Sequence, residues 1–178
     1  IDLGGTNLRV VLVKLGGDCT FDTTQSKYKL PSHIRTTKNR DELFDFIAQS
    51  LKDFVEEIYH GQIKNKLPLG FTFSYPASQD RINVGILQRW TKGFDIPNVE
   101  GHDVVALLNA SMAKLNVPVE VVALINDTTG TLVASLYSDP ETKMGVIFGT
   151  GVNGAYYDVV KDIPKLEGKL ADDIPPES

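Results

Sequence analysis

Three short stretches carry residue types whose spacing permits chemistry on a phosphorylated ligand. Asp2-Leu3-Gly4-Gly5-Thr6-Asn7 sets a carboxylate at the end of a strand, beside two glycines and two small polar side chains. Glycines let backbone N–H groups approach an anion closely, Thr6 and Asn7 can donate hydrogen bonds to phosphate oxygens, and Asp2 could hold a hydrated Mg²⁺. The plainer alternative is a Gly-Gly hairpin turn with Asp2 satisfied locally, and residue chemistry leaves both open. Asn126-Asp127 stands where the apolar run Val121 to Ile125 meets the next helical pattern. That is the carboxyl end of a strand, the edge at which open α/β sheets bind ligands. There Asp127 either caps the helix, near Gly130, or accepts a hydroxyl proton as a general base; the roles are compatible. Gly149 to Gly154 reads Gly-Thr-Gly-Val-Asn-Gly, a literal G-x-G-x-x-G directly after a strand. A dinucleotide site needs a helix opening on the third glycine, so that its N-terminus faces the pyrophosphate. Ala155 to Val160 alternates like a strand instead. A second phosphate-cradling turn or a plain hairpin therefore fits better than a nicotinamide oxidoreductase, which a helix after Gly154 would restore.

Other chemistries are excluded or discounted. No Gly-x-x-x-x-Gly-Lys-[Ser/Thr] exists, so the P-loop class is out. His33, His60 and His102 have no metal-binding spacing and read as solvated surface residues. The sequons at Asn109 and Asn126 fall in or beside regular structure. With 18 Lys plus Arg against 23 Asp plus Glu the formal charge is −5, and basic residues never run together, which argues against nucleic acid or an anionic membrane as partner. No uncharged apolar run approaches the roughly 18 residues of a membrane span. Cys19, the one cysteine, excludes an internal disulfide or a cysteine-cluster metal site, favours a reducing compartment and leaves secretion unsupported. The opening at Ile1 and the polar close from Ala171 to Ser178 read as a piece of a longer protein.

The elements that must position these residues follow from periodicity. Ile1 to Leu15 and Cys19 to Leu30 read as antiparallel strands joined at Gly16-Gly17-Asp18. From Asp41 to His60, Leu43, Phe44, Ile47, Leu51, Phe54, Val55 and Ile58 recur at three and four residues, with a capping box of Asn39 and Glu42. Leu67 to Tyr75 alternates as a strand, and a long loop containing Gly85, Gly93 and Pro97 follows. A helix over Asp103 to Leu115, a strand over Val117 to Ile125 buried on both faces, a helix over Asp127 to Tyr137, and strands at Met144 to Phe148 and Ala155 to Val160 complete the reading. Strands first, then alternating helix and strand, give α/β with a mixed sheet.

Taken together, the motifs resemble one family. Leu69 to Ser78, running on to Gln88-Arg-Trp-Thr-Lys-Gly-Phe94, is similar to the sugar-binding signature of the hexokinases. Asp2 to Arg9 resembles that family's first phosphate motif, Ile125 to Asp127 its catalytic segment, and Gly149 to Asn153 its second phosphate motif. All four stand in family order across essentially the whole chain, closest to the hexokinases of budding-type yeasts. The resemblance implies a ribonuclease H-like fold of the actin and sugar kinase type, with a mixed five-stranded sheet and flanking helices. Residues 1–126 would form the small lobe and residues 127–178 the opening of the large one. It implies transfer of the ATP γ-phosphoryl group to the 6-hydroxyl of glucose, fructose or mannose, the first step of glycolysis, in the cytoplasm. It also implies glucose contacts from Ser74, Thr91, Lys92, Asn126, Asp127 and Asn153, with Asp127 as the base. ATP would meet Gly4, Gly5, Thr6, Asn7, Arg9, Thr150 and Gly151, and Asp2 would reach Mg²⁺ through water. The family's two glutamate sugar ligands, its adenine-binding segment and the remainder of the large lobe come later than Ser178. Ser78 to Pro97 is the segment expected to move on closure. The second class is a sugar-sensing relative, which binds glucose without useful turnover.

Overall fold

The computed structural model describes residues 1–149 and 152–166, which fall into two compact units, Ile1–Asp127 and Thr128–Ser178. In the first unit the strands are β1 (Asp2–Leu3), β2 (Asn7–Gly17), β3 (Thr20–Lys29), β4 (Leu67–Phe73), the short pair β5 (Ala77–Ser78) and β6 (Ile86–Leu87), and β7 (Val119–Ile125). Its helices are α1 (Asp41–Tyr59) and α2 (Val104–Lys114). The main sheet runs β3-β2-β1-β4-β7. Strands β1, β4 and β7 are mutually parallel, while β2 and β3 are antiparallel to their neighbours. This is the mixed five-stranded sheet with flanking helices that the resemblance implies.

One face of the sheet is dry. Leu3, Leu8, Val10, Phe71, Phe73, Val121 and Leu124 are buried together with Leu43, Phe44, Ile47 and Leu51 of α1 and Val104 and Leu108 of α2. Each such side chain contributes about 1.5–3 kcal/mol relative to exposure. Between the two helices Lys114 Nζ meets Asp45 Oδ2 at 2.6 Å. Burial on its own pushes the Asp45 carboxyl up, but hydrogen bonding from Lys114 and Ser111 together with the charge of Lys114 outweighs it, and the net direction is down. The same contact lifts the Lys114 ammonium. A depressed carboxyl contributes stability that is present above its unfolded value of about 3.9 and lost as pH falls through the folded value. Asp45→Asn is therefore expected to lower the urea midpoint of the full-length protein slightly at pH 7, with the difference from wild type shrinking as pH falls below about 3.9. A gap that widens on acidification would contradict the pairing.

Three local readings differ from expectation. The capping box does not form as a reciprocal pair: Asn39 Oδ1 accepts from Asp41 N (3.1 Å), but the Asn39 N–H goes to Thr37 Oγ1 (3.1 Å) rather than to Glu42. A threonine two residues upstream has taken the glutamate's acceptor role. Strand β7 is not buried on both faces, because Glu120 and Val122 are exposed. Its pairing with β4 skips from Leu69↔Val121 to Gly70↔Ala123, leaving Val122 as the extra residue of a bulge. The bulge flips the phase of the strand, so that Val121 and Leu124, three apart, are both buried. Within the long loop, β5 pairs β6 in register Ala77↔Leu87.

The second unit holds α3, which opens at the junction (Asp127–Ser138), and the hairpin of β8 (Met144–Phe148) and β9 (Val152–Tyr156). The last strand starts three residues earlier than expected and ends before Val160, because its pairing with β8 already begins at Phe148↔Val152 and runs to Met144↔Tyr156. Residues Val160–Asp162 form a 3₁₀ turn instead. With extended chain after Gly154, the dinucleotide reading loses the helix it required. A Cβ on Gly145 would come 2.8 Å from Leu132 N and 3.0 Å from Thr128 O, so this glycine sets how closely the hairpin approaches the α3 backbone. No helix among the described residues is long and apolar enough to cross a membrane.

Candidate active site

Parallel strands deliver three segments to one sheet edge. The register pairs Leu3 with Phe73 and Thr72 with Ile125. Gly4 and Ser74 follow directly on the paired ends of β1 and β4, and Asn126 and Asp127 follow the end of β7, so all three segments leave the sheet at its carboxyl edge. Two strand spacings of about 4.8 Å put β1 and β7 roughly 10 Å apart along that edge, the scale of a phosphoryl donor beside a sugar hydroxyl.

At one end, the turn from β1 into β2 is closed by Gly4 N donating to Asn7 O (2.9 Å) and by Asn7 Nδ2 donating to Thr6 Oγ1 (2.7 Å). Neither Gly4 nor Gly5 has a positive φ, so their value is closeness of approach rather than a left-handed backbone. Among the described residues the Gly5 and Thr6 N–H groups have no backbone acceptor. The Thr6 hydroxyl, which accepts from Asn7, keeps its own proton for donation. Two unused amides, one hydroxyl and a nearby carboxylate fit a phosphate with its hydrated cation. Arg9 is the cross-strand partner of Asp2, so both lie on the sheet face opposite Leu3.

In the middle stands an aromatic cluster. The Tyr75 ring lies 4.7 Å from Phe73, 5.2 Å from Trp90 and 5.5 Å from Phe94 by centroids, and Lys92 Nζ sits 5.1 Å above it. Trp90 is tied further by Nε1 to Ile96 O (3.0 Å) and by its N–H to Glu100 Oε1 (2.7 Å). This anchoring sets the segment that carries Thr91 and Lys92 beside the first turn: a Cβ on Gly5 would meet Lys92 Cβ at 3.8 Å. Lys92 itself is left-handed (φ 57°), followed by Gly93 (φ 79°), a cost of order 1–3 kcal/mol held by the surrounding packing. The hydroxyls of Ser74 and Tyr75 are buried with no hydrogen-bond partner among the described residues. Burial first, and then the Asp2 carboxylate, push the Tyr75 phenol above the ordinary range, with Arg35 pulling the other way.

At the far end Asn126 and Asp127 follow β7, and Asp127 stands in the first turn of α3. In the second unit, Asn153 Nδ2 donates to Thr128 Oγ1 (3.1 Å) while its Oδ1 accepts from Gly154 N (3.0 Å). Sequence reading missed Thr128, although its place directly after Asp127 was a signal. Thr150 and Gly151 lie outside the described residues.

The sequence models of the hexokinase family match residues 1–137 and 143–176. Over all 178 residues the chain is 74% identical to Hexokinase-2 and 75% identical to Hexokinase-1 of Saccharomyces cerevisiae, and 72% identical to Hexokinase-2 of Candida albicans. It spans 37% of the length of each of these relatives. Among solved structures it is similar to a hexokinase from Schistosoma mansoni complexed with glucose, with a TM-score of 0.84 at 40% identity, covering 94% of this chain and 37% of that one. With the family's models matching residues 1–137 and 143–176 and relatives identical at about three residues in four over the whole chain, this chain belongs to the hexokinase family.

Proposed function

We propose that the parent protein is an ATP-dependent hexose 6-kinase, and that this chain supplies its small lobe, about residues 1–126, together with the start of its large lobe. The observation that supports the reading is that β1, β4 and β7 are parallel neighbours, so the segments after them, carrying Gly4, Ser74 and Asp127, leave from the same edge of the sheet. Ser74, Thr91, Lys92, Asn126 and Asn153 hold the sugar by hydrogen bonds to its hydroxyls. Asp127 orients the 6-hydroxyl and takes its proton. Gly5 and Thr6 N–H groups, the Thr6 hydroxyl, Asn7, Arg9, Thr150 and Gly151 hold the ATP phosphates. Asp2 would hold Mg²⁺ through water, and the ion would supply charge neutralisation for the phosphoryl oxygens. Because phosphoryl transfer runs through a loose transition state, alignment and charge stabilisation are what these residues must supply. Water is the competing acceptor, and hexose binding must exclude it.

A coupled assay of the full-length protein with MgATP and glucose, fructose or mannose tests the reading. Hexose-dependent ADP release is expected. Hexose binding without turnover would place the protein with sugar sensors instead.

A further inference from the structure

Among the described residues β7 is the outermost strand of the sheet on the side of Asp127. Directly after the bulge at Val122 its outer edge is taken up by the loop that follows β5. The outward Leu124 N donates to Ile82 O (2.7 Å), and the Leu124 carbonyl accepts from Gln79 Nε2 (3.1 Å). The same Gln79 amide also donates to Val84 O (3.2 Å), so one side chain bridges the two limbs of the loop to the strand. The Leu124 side chain closes the contact over Gly85, where a Cβ would lie 2.0 Å from Leu124 Cδ2. Gly85 is held in turn by Asp103 Oδ1, which accepts from its N–H (3.0 Å). Leu124 is thus gripped by backbone and side chain, three residues before Asp127. The gripping loop continues through β6 to Thr91 and Lys92.

We propose that Gln79 is a positioning residue for Asp127: by clamping the loop to Leu124 it fixes where β7 ends, and so where the carboxylate meets the acceptor hydroxyl. The inference rests on the reading of Asp127 as the base. A bulge is a place where a strand can bend, and without the clamp the two residues beyond it gain freedom at the point where sub-ångström placement governs rate. Gln79 touches no substrate in this account, so its effect must pass through Asp127 alone.

The test is a double-mutant cycle in the full-length enzyme, comparing wild type, Gln79→Leu, Asp127→Asn and the double variant by kcat, hexose Kd from calorimetry, and melting temperature. Gln79→Leu keeps the side chain's bulk and removes both donations. The expected result is a kcat loss of about tenfold or more for Gln79→Leu, a hexose Kd within about threefold of wild type, and no further kcat loss when Gln79→Leu is added to Asp127→Asn. Equal losses in both backgrounds, no loss at all, or a Kd change as large as the kcat change would each overturn the inference. Gln79→Met serves as the second variant should the Leu form melt well below wild type. If Asp127→Asn itself keeps full turnover, the base assignment fails and the positioning role falls with it. If Asp127→Asn is slow and Gln79→Leu is not, only the positioning role fails.

Discussion

Replacing Asp127 by Asn in the full-length enzyme is expected to lower kcat for glucose phosphorylation by about 10²–10⁴-fold, while hexose Kd changes by less than about threefold. The amide has the shape of the carboxylate and can still hydrogen-bond a sugar hydroxyl, so the ground-state complex keeps most of its contacts. What it lacks is a site for the proton that leaves the 6-hydroxyl as the new O–P bond forms. A loss of that size is roughly 3–5 kcal/mol of barrier, the usual contribution of a positioned general base. The placement is compatible with the split: Asp127 follows the end of β7, the strand paired with the β4 that leads into Ser74, and on the proposed reading it meets the same ligand as the sugar contacts while serving a different step. Steady-state kinetics and calorimetry on wild type and variant would decide it, and equal losses in kcat and affinity would make Asp127 a binding residue only.

The same strand shows what sequence can and cannot convey. That Asp127 would emerge at a carboxyl edge followed from an apolar run meeting a helical period, and α1 followed from seven apolar positions at three and four residues. Both signals come from burial on one face, which repeats along the chain and leaves a pattern. The bulge at Val122 leaves none, since Val121-Val122-Ala123 is apolar in any register, and only the pairing with Gly70 reveals that one residue is extra. Gln79 is similarly silent in sequence: a polar residue in a loop has no period, and its partner Leu124 lies 45 positions away. The capping of α1 failed for a related reason, because Thr37 and Glu42 offer acceptors of similar reach and only the backbone path decides between them. Ser74 and Lys92 were found through motif resemblance, whereas the strain at Lys92 and the unpartnered Ser74 hydroxyl are facts of three-dimensional packing.

Those unpartnered groups lead to the second large effect. Ser74 and Tyr75 are adjacent, and each buries a hydroxyl without a partner among the described residues. A buried polar group left unsatisfied costs about 1–3 kcal/mol, and removing it in favour of an apolar group of the same shape is neutral or stabilising. On folding grounds alone, Ser74→Ala and Tyr75→Phe should behave alike: each is expected to leave the ligand-free protein as stable as wild type or more so. They should separate once hexose is added. Ser74 follows directly on the carboxyl end of β4, and on the proposed reading its hydroxyl is the contact that the sugar completes. Ser74→Ala is expected to raise hexose Kd by about ten- to a hundredfold, the value of one buried hydrogen bond to a polar ligand. The Tyr75 ring is enclosed by Phe73, Trp90 and Phe94, and its phenol, held neutral by burial and by Asp2, belongs to the packing of the loop. Tyr75→Phe is expected to keep hexose Kd within about twofold. Melting temperatures with and without saturating glucose read both halves in one experiment: the glucose-induced rise should shrink in Ser74→Ala and persist in Tyr75→Phe. A preserved rise in Ser74→Ala would remove Ser74 from the sugar site, and a lost rise in Tyr75→Phe would move the phenol into it.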